Sequence, residues 1–201
     1  MDDHIEPEAD LTRVERARRA RKVRDDRASQ RLAVLLVGPL ATLLVAVILV
    51  FFVFFDTSTI SGTSMLPTLL DHDYVLLTKG LSDPKRGDIV IVNVSTKGSV
   101  TEEWVKRVVG LPGDTVDVRG DAILVNGSPE SFRHSTLVGA AAGPIEHIVV
   151  PQGRVFVAGD NRPVSEDSRY VGTFSLKAVK GRVVFVYAPI THMGPIAAPA
   201  R

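Results

Sequence analysis

Residues 32–55 read Leu-Ala-Val-Leu-Leu-Val-Gly-Pro-Leu-Ala-Thr-Leu-Leu-Val-Ala-Val-Ile-Leu-Val-Phe-Phe-Val-Phe-Phe, 24 residues without a charge. A helix of that length, at about 1.5 Å per residue, spans roughly 36 Å, enough for a tilted crossing of a bilayer core about 30 Å thick. Pro39 falls in the first third, where a spanning helix tolerates a kink. A cleaved signal peptide would have an apolar core of only about 7–15 residues, followed by a small-x-small site. This run is longer and leads into Phe54-Phe55-Asp56, so an uncleaved anchor with a single crossing is expected.

The charges flanking the run set an orientation. Residues 11–31 hold nine Arg and Lys against three acids (Glu15, Asp25 and Asp26). After the run comes Asp56, and no Lys or Arg appears before Lys79. The positive-inside rule then puts the N-terminus in the cytoplasm and residues 56–201 outside. The expected organisation is a cytoplasmic basic tail at 1–31, a transmembrane anchor at 32–55, an extracytoplasmic β-rich domain at 56–190 and a flexible tail at 191–201. The basic tail has few large apolar residues and reads as solvated and mostly disordered. Its Arg-rich half has a helix on anionic lipid as the alternative.

Net charge is only +1, which argues against nucleic acid as a main partner. There is no cysteine, so disulfides, Cys-based zinc sites and a thiol nucleophile are all excluded. Beyond residue 56 the pattern turns to short β-rich runs at 74–77, 89–92, 155–158 and 182–187. Val116-Asp117-Val118 and Ile123-Leu124-Val125 flank Arg119-Gly120-Asp121 as a hairpin, and Asn126-Gly127 is a further turn signal. No long amphipathic helical pattern follows the anchor. The fold class expected is mainly β, an antiparallel sheet domain of about 130 residues, large enough for one core.

Three clusters hold the chemistry. The first is Ser61-Gly62-Thr63-Ser64-Met65-Leu66-Pro67-Thr68. Gly62 allows close approach of a substrate backbone to a serine on a tight bend. The Ser64 N–H is the natural donor to an oxyanion, and a nearby hydroxyl can add to it. The second is Trp104-Val105-Lys106-Arg107-Val108-Val109, which alternates as a strand does. Lys106 shares a face with Trp104 and Val108, and Arg107 points the other way. Apolar surroundings lower a lysine pKa and free its amine to act as a base; the plain alternative is an exposed lysine on a strand edge. The third, residues 159–172, is dense in Asp, Asn, Ser and Arg, and reads either as a bracing network or as an ordinary polar loop. The five histidines (His4, His72, His134, His147 and His192) have no recognisable acid partner in the sequence. A Ser-His-Asp triad has no fixed spacing, so it stays open as an alternative.

Four stretches together resemble the bacterial type I signal peptidases, in their Gram-positive-like short form. They are Ser-Met-x-Pro-Thr (64–68), Arg-Gly-Asp-Ile-Val (86–90), Lys-Arg-Val-Val-Gly-Leu-Pro-Gly-Asp (106–114) and Gly-Asp-Asn-Arg…Ser-x-Asp-Ser-Arg (159–169). The resemblance implies a membrane-bound serine endopeptidase that removes signal peptides after small residues of Ala-x-Ala type. Ser64 would be the nucleophile and Lys106 the general base. Ser165 would hydrogen-bond and orient the lysine. Gly62, Asp160, Asp167 and Arg169 would be structural positions near the site. Ile60, Met65, Leu69, Trp104 and Val105 would line shallow substrate pockets. The implied partners are the signal peptides of exported preproteins and the lipid bilayer, with the export translocon as a further one. Neither metal nor cofactor is implied.

Two departures from the family pattern stand out. Some members carry a serine, an extra oxyanion donor, where this chain has Gly62. Pro163-Val164 replaces the more usual polar pair before Ser165. Rivals to this reading are a self-cleaving Ser–Lys protease of repressor type and a silent membrane-anchored binding domain.

Overall fold

The computed structural model describes residues 8–80, 83–95, 101–120, 122–130 and 143–196. Two compact units divide between Phe52 and Val53. The first is dominated by one helix, α1 (Glu8–Phe54). Its apolar part, Ala33–Phe54, has a mean hydropathy of 2.9 and is nowhere buried within the protein, which fits a membrane anchor. Pro39 is accommodated inside the helix, and Thr42 Oγ1 donates to the Gly38 carbonyl at 2.9 Å.

The disordered tail expected at the N-terminus is corrected from Glu8 onward: the helix runs through the basic segment. Arg, Ala and Glu are strong helix formers, and the apolar span already supplies the nucleus, so extension needs no new one. At the other end the helix stops at Phe54 rather than Phe55, because Phe55 pairs with Thr78 in the first strand.

The second unit is β. In chain order its strands are β1 (Phe55–Thr59), β2 (Tyr74–Lys79), β3 (Ile89–Ser95), β4 (Thr101–Gly110), β5 (Thr115–Arg119), β6 (Ala122–Val125), β7 (Ser128–Pro129), β8 (His147–Val149), β9 (Arg154–Ala158), β10 (Phe174–Ser175), β11 (Val179–Ala188) and β12 (Gly194–Pro195). One sheet has the order β1-β2-β11-β3-β4-β9-β10, with β12 beside β11; a second has the order β7-β6-β5-β8. Every strand pair among the described residues is antiparallel. Helix in this unit is limited, among the described residues, to α2 (Ser168–Val171) and short 3-10 turns. The Asn126-Gly127 signal is the turn between β6 and β7, and both residues have positive φ (52° and 80°). The Ala-Ala-Ala stretch at 140–142, where the composition predicts a loop, lies outside the described residues.

Two features of the main sheet position the site. First, β4 pairs with β3 from Thr101 to Arg107 but meets β9 only from Arg107 onward. Upstream of Arg107 its far edge has no strand partner among the described residues. Second, the C-terminal segment expected to be free is held as far as Ile196. β12 pairs with Phe185 and Val186 of β11, and Ile196 packs on the core beneath Val183 and Val186. The partly unpaired edge of β11 supplies the reason, since β3 pairs only with residues 179–182 of it.

Gly181 lies mid-strand in β11, between Lys79 of β2 and Ile91 of β3. A Cβ there would collide with the Thr78 carbonyl oxygen and sit 2.8 Å from Leu77 Cδ1. Gly181→Ala is therefore expected to cost about 1–3 kcal/mol through overpacking. Urea unfolding should show a lower midpoint at unchanged slope, and an unchanged midpoint would contradict the packing described.

Candidate active site

Ser64 stands on the loop between β1 and β2, which is closed at its base. The Ile60 N–H donates to the Asp73 carbonyl at 2.8 Å, and the His72 N–H to the Ile60 carbonyl at 2.9 Å. Gly62 has φ +92°, a conformation that L side chains rarely adopt. Its N–H donates to Asp71 Oδ1 at 2.8 Å. A helical turn then begins at Met65, whose carbonyl accepts from the Leu69 N–H at 3.0 Å. Met65 and Leu69 are buried in the core with Val75, Leu77 and Ile91 and fix the turn beneath the half-buried Ser64.

Lys106 comes from β4, opposite Val90 of β3. Its strand alternation works as the sequence indicates: Trp104 and Val108 belong to one apolar cluster, with Val90, Val92 and Phe174. Lys106 is only 5% exposed. Its Nζ donates to Ser64 Oγ at 3.0 Å and lies 5.5 Å from the centre of the Trp104 ring. Burial lowers the amine from an ordinary 10.5 to about 8, against the opposing charges of Asp167 and Glu166 and with help from Arg169. The Ser64 N–H has no acceptor among the described residues.

The third cluster is a bracing network. Asp167 Oδ2 accepts from Ser165 Oγ at 2.7 Å, from the Gly159 N–H at 2.9 Å and from Arg169 Nη2 at 2.9 Å. Its Oδ1 accepts from Arg169 Nε at 2.8 Å. Burial acts to raise the Asp167 carboxyl, but the Arg169 hydrogen bond and charge, with the Gly159 and Ser165 donors, hold it below the usual carboxylate range. Ser165 is thus corrected: its hydroxyl proton goes to Asp167, and no bond joins it to Lys106. It still packs against the site, because a Cβ on Gly159 would overlap Ser165 Oγ and come within 2.6 Å of the Ser64 carbonyl oxygen.

Asp160 belongs to a separate buried pair. It takes Arg107 Nε at 2.7 Å and Nη2 at 2.6 Å, and Thr68 Oγ1 donates to it at 2.5 Å. Arg107 also donates to the Gly87 carbonyl at 2.7 Å. One strand therefore presents Lys106 to Ser64 on one face and ties the end of the Ser64 turn down through Arg107 on the other. Sequence reasoning placed Arg107 on the opposite face but gave it no role. Its partner lies 53 residues away, and spacing carries no signal of it.

Of the expected pocket residues, Ile60, Met65 and Leu69 are fully buried, and Trp104 and Val105 are half-buried. A cavity of about 350 Å³ is lined by Pro67, Thr68, Arg107, Val186, His192 and Ile196 among others, and includes neither Ser64 nor Lys106. The histidines do have acid partners, contrary to the sequence reading. His72 pairs with Asp71 at 2.9 Å, His147 with Asp117 at 2.7 Å and His192 with Asp73 at 2.7 Å. None of these three bonds Ser64; His4 and His134 lie outside the described residues.

Residues 33–188 match the family described as signal peptidase, peptidase S26. Signal peptidase I P of Bacillus subtilis subsp. natto is 36% identical over 151 residues, covering 69% of this chain and 80% of the relative. Signal peptidase I of Bacillus licheniformis gives the same figures. That of Leptolyngbya laminosa is 35% identical over 150 residues, 70% of this chain and 72% of the relative. Among solved structures, a signal peptidase I from Enterococcus faecalis V583 has 30% identity and a TM-score of 0.43, over 51% of this chain and 98% of that one.

Asp160→Ala would leave Arg107, itself only 4% exposed, without its carboxylate. Breaking a buried pair from one side costs about 3–5 kcal/mol. The variant should melt at clearly lower temperature. A melting temperature equal to wild type would mean that the pair does not hold the turn.

Proposed function

The chain belongs to the signal peptidase family, peptidase S26, a family of serine proteases, and from that premise we propose that it cleaves signal peptides from exported preproteins with Ser64 as nucleophile and Lys106 as general base. The observation that carries the proposal is the 3.0 Å contact between Lys106 Nζ and Ser64 Oγ in a buried setting. With its pKa at about 8, close to half of the amine is neutral near that pH. An unperturbed lysine would offer on the order of a hundredfold less. In the neutral form the contact reverses, and Ser64 Oγ–H donates to the amine.

The chemistry follows. Ser64 Oγ adds to the scissile carbonyl carbon as its proton passes to Lys106 Nζ. The oxyanion accepts from the Ser64 N–H, which has no acceptor among the described residues. Lys106 returns the proton to the leaving amine as the C–N bond breaks, leaving an acyl ester on Ser64. Water then attacks the ester, losing a proton to Lys106, and Ser64 leaves with that proton regained.

Substrate recognition uses the open edge of β4. An extended peptide adds there as a strand, between residues 60–63 and the strand carrying Lys106. Ile60, Met65 and Leu69 are closed into the core, so they form a floor rather than deep pockets. A shallow floor suits small side chains, in keeping with Ala-x-Ala sites. The basic residues that precede the apolar run favour, by the positive-inside rule, a cytoplasmic N-terminus and a β unit outside. Confinement to one surface raises the effective concentration of enzyme and membrane-borne preprotein.

Cleavage of a preprotein with an Ala-x-Ala site by detergent-solubilised enzyme tests the assignment. Ser64→Ala and Lys106→Ala should stay folded and lose activity by on the order of a thousandfold or more. A folded Lys106→Ala variant with full activity would mean that the base is elsewhere. The wild-type rate should climb with pH through a midpoint at about 8, because only the deprotonated amine accepts the serine proton. A profile flat from pH 6 to 10, with chemistry limiting, would contradict that role.

A further inference from the structure

We infer that Asn161 is a positioning residue that aims the oxyanion donor of Ser64. The inference rests on the reading of Ser64 as nucleophile. The Thr63–Ser64 peptide is trans, since the cis bonds of the described chain lie at Leu66–Pro67 and Ala188–Pro189. In a planar trans peptide the carbonyl and the N–H point in opposite directions. Whatever fixes the Thr63 carbonyl therefore fixes the Ser64 N–H, which must face the substrate.

Two donors reach that carbonyl. The Leu66 N–H, at 3.2 Å, belongs to the same turn and moves with it. Asn161 Nδ2, at 3.0 Å, comes from 98 residues away and ties the peptide plane to the rest of the domain. The Asn161 backbone N–H also donates to the Ser64 carbonyl at 2.9 Å. One residue thus holds the carbonyls on both sides of the Ser64 Cα. A carbonyl that accepts hydrogen bonds also polarises its own peptide, which makes the N–H opposite a stronger donor.

Asn161 is itself held. The next residue, Arg162, is buried, donates Nε to the Gly159 carbonyl at 2.7 Å and pairs with Glu130 at the end of the second sheet. Because position 62 is a glycine and offers no hydroxyl, the Ser64 N–H carries the oxyanion with less help, and its direction matters correspondingly more.

The test compares wild type with Asn161→Ala, which removes the amide, and Asn161→Asp, which keeps the shape but replaces the donor with an acceptor. Both retain the backbone N–H bond. Expected is a fall in kcat on the order of tenfold for Ala and more for Asp, since a mis-aimed oxyanion donor is a partial loss of that donor. KM should stay within about twofold, and the pH midpoint should stay at about 8, where Lys106 sets it. A substrate-like peptide aldehyde, whose adduct with Ser64 places an oxygen against the N–H, should bind weaker by about the same factor as kcat falls. The matching peptide alcohol should bind unchanged.

Wild-type kcat in the Asp variant overturns the inference, as does equal weakening of aldehyde and alcohol. A raised KM with kcat intact also overturns it, by reducing Asn161 to a substrate contact or a brace. Ser64→Ala, run in parallel, separates the two levels. If it is inert while Asn161→Asp behaves as wild type, only the Asn161 assignment fails. If it remains active, the Ser64 reading fails and takes the Asn161 assignment with it.

Discussion

The constraint on which the rest depends is the placing of a lysine amine in a setting where its charge is poorly solvated. Burial of Lys106 favours the neutral amine, but a carboxylate nearby would undo the effect by holding the proton. Asp167 is such a carboxylate, and its charge does act on Lys106 to raise the pKa. The fold answers this by committing Asp167 to Arg169 through both oxygens and saturating it further with Ser165 and Gly159. The positive charge of Arg169 also reaches Lys106 and lowers its pKa. The ion pair is thus a structural brace; the Asp167 charge still acts to raise the Lys106 pKa, and burial outweighs it.

β4 makes this arrangement economical in sequence. Adjacent residues on a strand face opposite sides, so Lys106 and Arg107 are delivered to two different environments by one element. Lys106 meets Ser64 and apolar neighbours. Arg107 meets Asp160, Thr68 and Gly87, and is fully compensated. Both are buried cations, but only Arg107 has its charge balanced by a bonded carboxylate. The same strand has no β9 partner upstream of Arg107, and among the described residues no other strand covers that edge.

Local features of the fold were legible in the sequence wherever the physics is local. Alternation around Trp104–Val109 gave the face of Lys106 correctly, and Asn126-Gly127 gave the turn. The apolar run marked the apolar part of α1, Ala33–Phe54, to within a residue at each end. The same reasoning stopped the helix too early at its basic end, because low hydrophobicity was read as disorder although Arg, Ala and Glu favour helix once one is nucleated. The site was legible only as clusters. Spacing does not say that the Ser165 proton points to Asp167, that Arg107 finds Asp160, or that Asn161 reaches Thr63. Each is a choice among donors and acceptors that are brought together by strand pairing. Ile60, Met65 and Leu69 illustrate the converse: apolar side chains around Ser64 could equally line a pocket or the core, and only packing distinguishes the two.

Gly62 shows why such distant ties matter. Its φ of +92° lets the chain bend into the Ser64 turn, and open space surrounds the position of a missing Cβ. A residue with a hydroxyl there would add a donor but would have to adopt a strained backbone to keep this bend. The chain instead keeps the bend relaxed and holds the peptides on either side of it, through Asp71 on the Gly62 N–H and Asn161 on the Thr63 carbonyl. Precision at Ser64 is therefore a property of the 159–172 segment as much as of the turn itself. That segment must be rigid for the turn to be, which accounts for two buried arginines within eight residues of Asn161, each tied to a carboxylate: Arg162 to Glu130 and Arg169 to Asp167. The network around Asp167 thus braces the segment from which Asn161 reaches the Ser64 turn.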